Sequence, residues 1–173
     1  LIEGFNDSLS ELPPTLTGEQ ITAIRKMIIA RREQLQREFE LASQNAAETN
    51  LAAAIKFMAE NQAKEGVQVT DSGLQYLILT DVDGPRARSS DTVSVNYIGK
   101  LLNGTVFDQS HGTPVEFEVQ QVILGWIEGI QLMSAGDNFR LFIPPDLAYG
   151  PGGVGGIPPN SALIFDVELL EIK

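Results

Sequence analysis

Five aromatic residues, Tyr97, Phe107, Trp126, Tyr149 and Phe165, sit on or beside short apolar runs in the second half of a 173-residue chain. Asp108 follows Phe107 directly, and Gly99, Gly125 and Gly150 flank most of the aromatics, letting backbone come close. Ligand sites are commonly concave, mostly apolar and edged by a few polar groups. Asp108 and the hydroxyls of Tyr97 and Tyr149 would supply such an edge, for a small apolar group with one hydrogen-bond-accepting side. The same aromatics also suit plain core packing, the reading that fits Phe117, Phe139 and Phe142. The residues alone leave both open.

Other chemistries fit less well. The stretch AYGPGGVGGIPPNSALIF, residues 148–165, holds five glycines and three prolines before an apolar strand and invites a phosphate cradle. A phosphate loop needs a Gly-Lys-Ser/Thr ending that opens a helix, and here Ile157-Pro158-Pro159 follows instead. A dinucleotide site needs a strand–helix–strand unit, which the pattern lacks. Beyond residue 66 only five Lys/Arg stand against thirteen Asp/Glu, so a phosphate ligand is disfavoured. Glycoside hydrolysis needs two acids across a cleft, but Glu116, Glu118, Glu168 and Glu171 alternate with apolar residues and read as a solvated sheet face. His111, the lone histidine, lies in a polar turn. It has no partners for a triad or a multi-histidine metal site. With no cysteine there is neither a disulfide nor a thiolate-bound zinc. A net charge of −11 opposes nucleic-acid binding, which needs a basic face. No apolar run approaches the ~18 residues of a membrane span. The start at Leu1-Ile2-Glu3 reads as that of a processed or truncated chain.

Glycine placement divides the elements that must position these groups. Only Gly4 and Gly18 precede residue 66, whereas fourteen glycines follow from Gly66 on. The 47 residues from Glu19 to Glu65 hold neither Gly nor Pro and are rich in helix formers. Ile21, Ile24, Ile28, Leu35, Phe39, Ala42 and Ala46 keep the spacing of one helical face. Thr17 with Gln20 forms a candidate capping box. The spacing predicts a helix over about 18–65, either a continuous stalk or two helices broken within Asn45–Asn50. Residues 1–12 read as a short amphipathic helix ended by Pro13-Pro14, with apolar residues that need a cover. Residues 66–173 read as four to six strands around one helix, QQVILGWIEGIQLM. Thr92–Tyr97 alternates with the period of a half-buried strand, and Asn103-Gly104 is a hairpin turn. Residues 1–65 are therefore expected to form a helical dimerisation or stalk region, and 66–173 an antiparallel α+β domain.

The motifs VSVNYIGKLLNGTVFDQS, VILGWIEGIQLMSAGD, IPPDLAYG and GIPPNSALIFDVELLEI, in this order, resemble the FKBP-type peptidyl-prolyl cis-trans isomerases. The helical first region resembles the dimeric bacterial Mip and FkpA type. The resemblance implies a bent antiparallel sheet wrapped around one short helix, with a proline pocket between them. It implies walls from Tyr97 and Phe107-Asp108, and an edge at Val122-Ile123 whose Ile123 N–H holds the substrate carbonyl. Trp126 would be the floor, Tyr149 a hydroxyl donor at the rim, Ile157 part of the flap, and Phe165 the back. Val115, with Val122 and Ile157, is assigned to substrate binding. Val115 stands after Pro114 where the family often has an aromatic residue. The flap has Val154 or a glycine where many members have histidine, and Leu124 stands where bacterial relatives often have Pro or Arg. The implied partners are unfolded or partly folded proline-containing proteins, macrolides of the FK506/rapamycin type, and a second copy through the N-terminal helices. No cofactor or metal is implied, and the location would be a bacterial periplasm or outer-membrane surface. The alternative is a non-catalytic peptide-binding chaperone or adaptor using the same pocket and helical arm.

Overall fold

A computed structural model describes residues 17–173, so the short helix expected over 1–12 lies outside the described residues. The chain separates into two compact units, Leu1–Ala42 and Ser43–Lys173. The elements are α1 (Gly18–Asn61), β1 (Val67–Val69), β2 (Gln75–Thr80), β3 (Thr92–Leu101) and β4 (Val106–Gln109), then β5 (Val115–Glu118), α2 (Leu124–Ile130), β6 (Asn138–Ile143) and β7 (Leu163–Ile172).

The capping box forms as the sequence suggests. The Thr17 N–H donates to Gln20 Oε1 at 2.8 Å, and the Gln20 N–H donates to Thr17 Oγ1 at 3.3 Å. The helix does not break within Asn45–Asn50. Low-propensity residues there turn their side chains to other uses: Thr49 Oγ1 donates back to the Asn45 carbonyl at 2.8 Å, and Asn50 Nδ2 donates to the Pro159 carbonyl at 2.8 Å. The end comes at Asn61, four residues before the expected 65: the Met58 carbonyl accepts a final helical bond from the Gln62 N–H at 3.1 Å, and side chains then tie this last turn to β2. Gln75 Nε2 donates to the Met58 carbonyl at 2.8 Å, and Asn61 Nδ2 donates to Gln75 Oε1 at 3.0 Å. Phe57 then packs on Phe142 with ring centroids 5.9 Å apart.

Seven strands form one sheet in the order β1-β2-β6-β7-β3-β4, with every neighbour antiparallel. The short β1 and β5 carry the count beyond the four to six expected. β3 is ten residues long and is the hub. Along one edge its first half pairs with β5 (Val95 opposite Val115) and its second half with β4 (Gly99 opposite Asp108). Along the other edge it pairs with β7, setting Tyr97 opposite Val167 and Gly99 opposite Phe165. Period-2 alternation turns Val93, Val95, Tyr97, Phe139, Leu141, Ile143, Leu163, Phe165, Val167 and Leu169 into the core. Their alternates, such as Asn96, Arg140, Asp166 and Glu168, lie on the other face.

α2 closes the core and is shorter than QQVILGWIEGIQLM. A single 3₁₀ turn covers Val119–Gln121, and Ile123 precedes the helix in extended backbone (φ −62, ψ 152). The helix starts only where the N–H groups of Trp126 and Ile127 reach the Ile123 carbonyl, at 2.9 and 3.0 Å. Gly125 and Gly129 let it lie close on the sheet: a Cβ at either would collide with the side chains of Ile143 and Leu141 respectively. That approach buries Trp126 and Ile130 against the sheet.

Candidate functional site

Between α2 and the inner face of the sheet lies an open cavity of about 440 Å³ lined by Tyr97, Phe107, Asp108, Phe117, Gln121, Val122, Ile123, Trp126, Tyr149 and Phe165. Eight of the ten expected site residues are brought together here. Trp126 is the hub of the aromatic wall. Its ring meets Tyr97 at 5.2 Å and 90°, Phe165 at 5.2 Å and 82°, and Phe117 at 5.5 Å and 77°. Phe107 meets Phe165 at 5.4 Å and 88°. These are the edge-to-face arrangements that the ring quadrupole favours, so each ring fixes the next. Trp126 Nε1 is buried and has no hydrogen-bond partner among the described residues.

One edge of this apolar bowl is polar. Tyr97 Oη donates to Asp108 Oδ2 at 2.8 Å, and Asp108 Oδ1 accepts the Gln109 N–H at 2.9 Å. The middle of β3, which carries Tyr97, is fixed by Ser110, whose N–H donates to the Tyr97 carbonyl at 3.1 Å while its Oγ accepts the Tyr97 N–H at 3.2 Å. Burial pushes the Tyr97 phenol well above its ordinary range, and the hydrogen bond to Asp108 and the charges of Asp108 and Tyr149 add to it. Tyr149 is raised for the same first reason, burial, with the Asp108 charge second. Both phenols therefore remain protonated donors through neutral pH. Tyr149 is 38% exposed and forms the rim. Also in the lining, the extended backbone at Ile123 leaves that residue's N–H without an intramolecular partner among the described residues.

Val115 and Ile157, expected at the pocket, stand outside its wall. Val115 is directed toward the core from β5, opposite Val95. Ile157 is 7% exposed because its backbone bonds both ways with Val154, at 2.8 and 3.0 Å, and turns the side chain into the core. The turn depends on Gly153 (φ +60), where a Cβ would run into the Ile157 carbonyl and the Pro158 backbone. Phe117 and Gln121 join the wall instead. Plain core packing fits Phe117 in the sequence, yet the alternation Val115–Glu116–Phe117–Glu118 sets its ring on the same face as Tyr97, 5.8 Å from it. Gln121 carried no recognisable signal, since its place comes from the 3₁₀ turn before α2.

A larger cavity, about 520 Å³, lies elsewhere, lined by Asp81, Asp83, Arg86, Asp137 and Tyr76 among others. The Asp137 carboxylate is taken up by structure there, accepting the N–H groups of Val82 at 2.6 Å and Ser134 at 2.7 Å. Among the described residues no group of three or more His, Asp or Glu is placed to hold a metal ion. No described helix is long and apolar enough to cross a membrane.

A bent antiparallel sheet closed by one short helix, with an aromatic bowl between them, matches a known family in sequence as well as shape. Residues 84–170 match the model of the FKBP-type peptidyl-prolyl cis-trans isomerase, and residues 1–78 match that of the domain amino terminal to it. The chain belongs to the FKBP-type peptidyl-prolyl cis-trans isomerases, enzymes that catalyse rotation about X–Pro bonds. It is similar to the outer membrane protein MIP of Legionella longbeachae, 42% identical over all of this chain and 74% of that protein. It is 40% identical to the isomerase FkpA of Aeromonas hydrophila, all of this chain spanning 64% of that protein's length. The crystal structure of FkpA from Escherichia coli superposes with a TM-score of 0.84 at 36% identity, covering 99% of this chain and 80% of that one.

Proposed function

We propose that the 440 Å³ cavity is the proline site and that its lining performs the isomerisation. The observation that carries this reading is one apolar aromatic bowl whose lining includes two hydrogen-bond donors, the Ile123 N–H and the Tyr149 hydroxyl. The proline ring would rest on Trp126 between Tyr97, Phe107 and Phe165. The carbonyl on one side of the ring would accept the Ile123 N–H, and Val122 would bound the peptide. Tyr149 would donate to the peptide from the rim. Asp108 would hold the Tyr97 hydroxyl and present a negative edge. Val115 and Ile157 would contribute by shaping the strand and flap around the wall.

The chemistry requires only rotation. Amide resonance sets a barrier of about 18–20 kcal/mol, and the uncatalysed X–Pro bond turns in tens to hundreds of seconds. The twisted state loses that resonance, and its carbonyl is less polar than that of the planar amide. A bowl that strips water from the carbonyl disfavours the planar form, and a fixed donor that reaches the prolyl nitrogen, whose lone pair is freed on twisting, then favours the twisted one. Both contributions come from groups already in place.

We further infer that residues 66–173 carry the isomerase site and that residues 1–65 pair with a second copy. The support is the apolar surface of α1, where Met27, Ile28, Ile29, Phe39 and Leu41 are 71, 49, 56, 69 and 61% exposed. Unfolded proline-containing clients in the cell envelope fit such a molecule, as do macrolides of the FK506/rapamycin type that would compete for the bowl. The similarity to an outer membrane protein of Legionella longbeachae supports the envelope location. The test of the site is a protease-coupled assay on Leu-Pro and Phe-Pro tetrapeptides with Asp108→Ala and Tyr149→Phe. Each should lose about tenfold or more in kcat/KM, the size of a lost positioned polar group, while far-UV circular dichroism stays unchanged. Full activity in both would overturn the assignment. Peptide binding without acceleration by the unaltered chain would favour the non-catalytic chaperone reading.

A further inference from the structure

The glycine-rich loop that follows Tyr149 is tied to the long helix by two amides pointing in opposite directions. Asn50 Nδ2, from α1, donates to the Pro159 carbonyl at 2.8 Å, and Asn160 Nδ2 donates to the Ala47 carbonyl on α1 at 3.2 Å. These residues all belong to the unit Ser43–Lys173. Asn160 also closes the loop on itself, its N–H donating to the Gly150 carbonyl at 2.8 Å. Gly150 is the residue next to Tyr149.

The backbone underlines the specificity of the arrangement. Asn160 sits at φ +53, one of two non-glycine residues with positive φ among the described residues. Asparagine is among the few L-residues that tolerate this region, but it still costs more there than glycine. Its side chain uses the conformation to reach the helix. Earlier in the loop Gly150 (φ +56) and Gly153 (φ +60) take the same left-handed region, which glycine enters without strain. Within the glycine-rich loop the Val154–Ile157 bridge, the Gly153 N–H to Gly150 carbonyl bond at 3.4 Å and the Ser161 Oγ to Pro158 carbonyl bond at 2.8 Å set its local shape. The two amide bonds to α1 and the Asn160–Gly150 bond fix that shaped loop, and with it Gly150 beside Tyr149, against the helix.

We infer that Asn50 and Asn160 are positioning residues for the isomerisation, acting through Gly150 to hold Tyr149 at the pocket rim. The inference rests on the proposed role of Tyr149 as a rim donor. It makes the C-terminal part of α1 part of the machinery of the site and not only a connector. It also accounts for two polar side chains that sit half-buried at the helix–loop contact, where apolar residues would bury as well but would fix no register.

The test is a double-mutant cycle in the full chain. Asn160→Gly keeps the positive-φ backbone available and deletes the donor to Ala47. Asn50→Leu keeps the volume and deletes the donor to Pro159. Asn50→Gln retains an amide on a longer arm as the conservative variant. Each is measured alone and with Tyr149→Phe, for kcat and KM on a proline tetrapeptide at a temperature well below unfolding. A merely structural role would lower the folded fraction, reducing apparent kcat equally in both backgrounds and leaving KM alone. The inference predicts a three- to tenfold fall in kcat/KM for Asn160→Gly and Asn50→Leu, partial recovery with Asn50→Gln, and little further loss when Tyr149 is already Phe. Full kcat/KM in Asn160→Gly and Asn50→Leu, with Tyr149→Phe impaired, would overturn the clamp while leaving the site reading intact. Losses that multiply unchanged in the Tyr149→Phe background would also overturn it. An unimpaired Tyr149→Phe single variant would instead remove the role of Tyr149 itself.

Discussion

Gly99→Ala is a demanding perturbation of this site because it adds one methyl group beneath two of its rings. Gly99 lies on the inner face of β3 between Asp108 of β4 and Phe165 of β7. A Cβ there would stand 2.7 Å from both Phe107 Cζ and Phe165 Cε1, whereas carbon atoms rest at about 3.5–4.0 Å. The two rings, locked edge to face at 5.4 Å, must therefore retreat by about 1 Å, and both line the cavity. Overpacking of this kind costs about 1–3 kcal/mol. Replacing glycine returns about 0.5–1 kcal/mol by restricting the unfolded chain, and Gly99 is not among the positive-φ residues, so alanine meets no backbone strain. The net expectation is a loss of about 0.5–2 kcal/mol, or a Tm lower by a few degrees for a chain of this size. The kinetic effect should be larger, since a displacement of about 1 Å at reacting geometry can cost up to ~100-fold. Thermal unfolding followed by circular dichroism, and kcat/KM from a protease-coupled assay at 10 °C, separate the two. A Gly99→Ala protein with kcat/KM within twofold of the parent and an undiminished Tm would refute the reasoning that this backbone supports the pocket wall.

Two further outcomes test other parts of the structure. Asp166 feels burial, which by itself raises its pKa, but hydrogen bonds and charges from Arg140 and Lys100 outweigh that and hold it below the usual carboxylate range. Its contribution is therefore present above an unfolded pKa of about 3.9 and is lost as pH falls through the folded value. Asp166→Asn should be less stable at pH 7 and lose less Tm between pH 5 and pH 2; parallel Tm curves for the two proteins would contradict this. Ile28→Glu with Phe39→Glu should shift the sedimentation coefficient from dimer to monomer while leaving tetrapeptide isomerisation within about twofold, and an unchanged dimer would exclude this face of α1 as the contact.

Much of the fold is written locally. Thr17 and Gln20 announce the helix start through side-chain reach alone, and Asn103-Gly104 announces a turn that forms with Gly104 at φ +86. The inner-face residues of β3 and β7 are legible because burial on one side imposes a period of two. The remainder depends on partners distant in sequence. Residues 45–50 look like a helix break until Asn50 finds Pro159, 109 residues away. The helix ends at Asn61 and not at 65, where Gln75 of β2 binds both the Met58 carbonyl and the Asn61 side chain. Val122 and Ile123 have helical spacing with Trp126, but the close seat of Gly125 on Ile143 fixes where α2 begins, leaving Ile123 extended. In the site, the aromatic wall shows as residue types and the resemblance assigns roles to them. Phe117 and Ile157 trade places because only the sheet register and the Gly153 turn decide which side chain faces the bowl.

The most direct test of the central claim is titration of a proline tetrapeptide into the ¹⁵N-labelled protein, with the peptide's cis–trans exchange recorded in the same samples. A proline site in the bowl should centre the amide shifts on Tyr97, Asp108, Ile123 and Tyr149 together with the Trp126 indole N–H. Exchange accelerated by the protein should also slow when a macrolide of the FK506/rapamycin type displaces the peptide. Shifts centred instead on the cavity around Asp81, Arg86 and Asp137, or exchange at the uncatalysed rate with the bowl occupied, would contradict the claim.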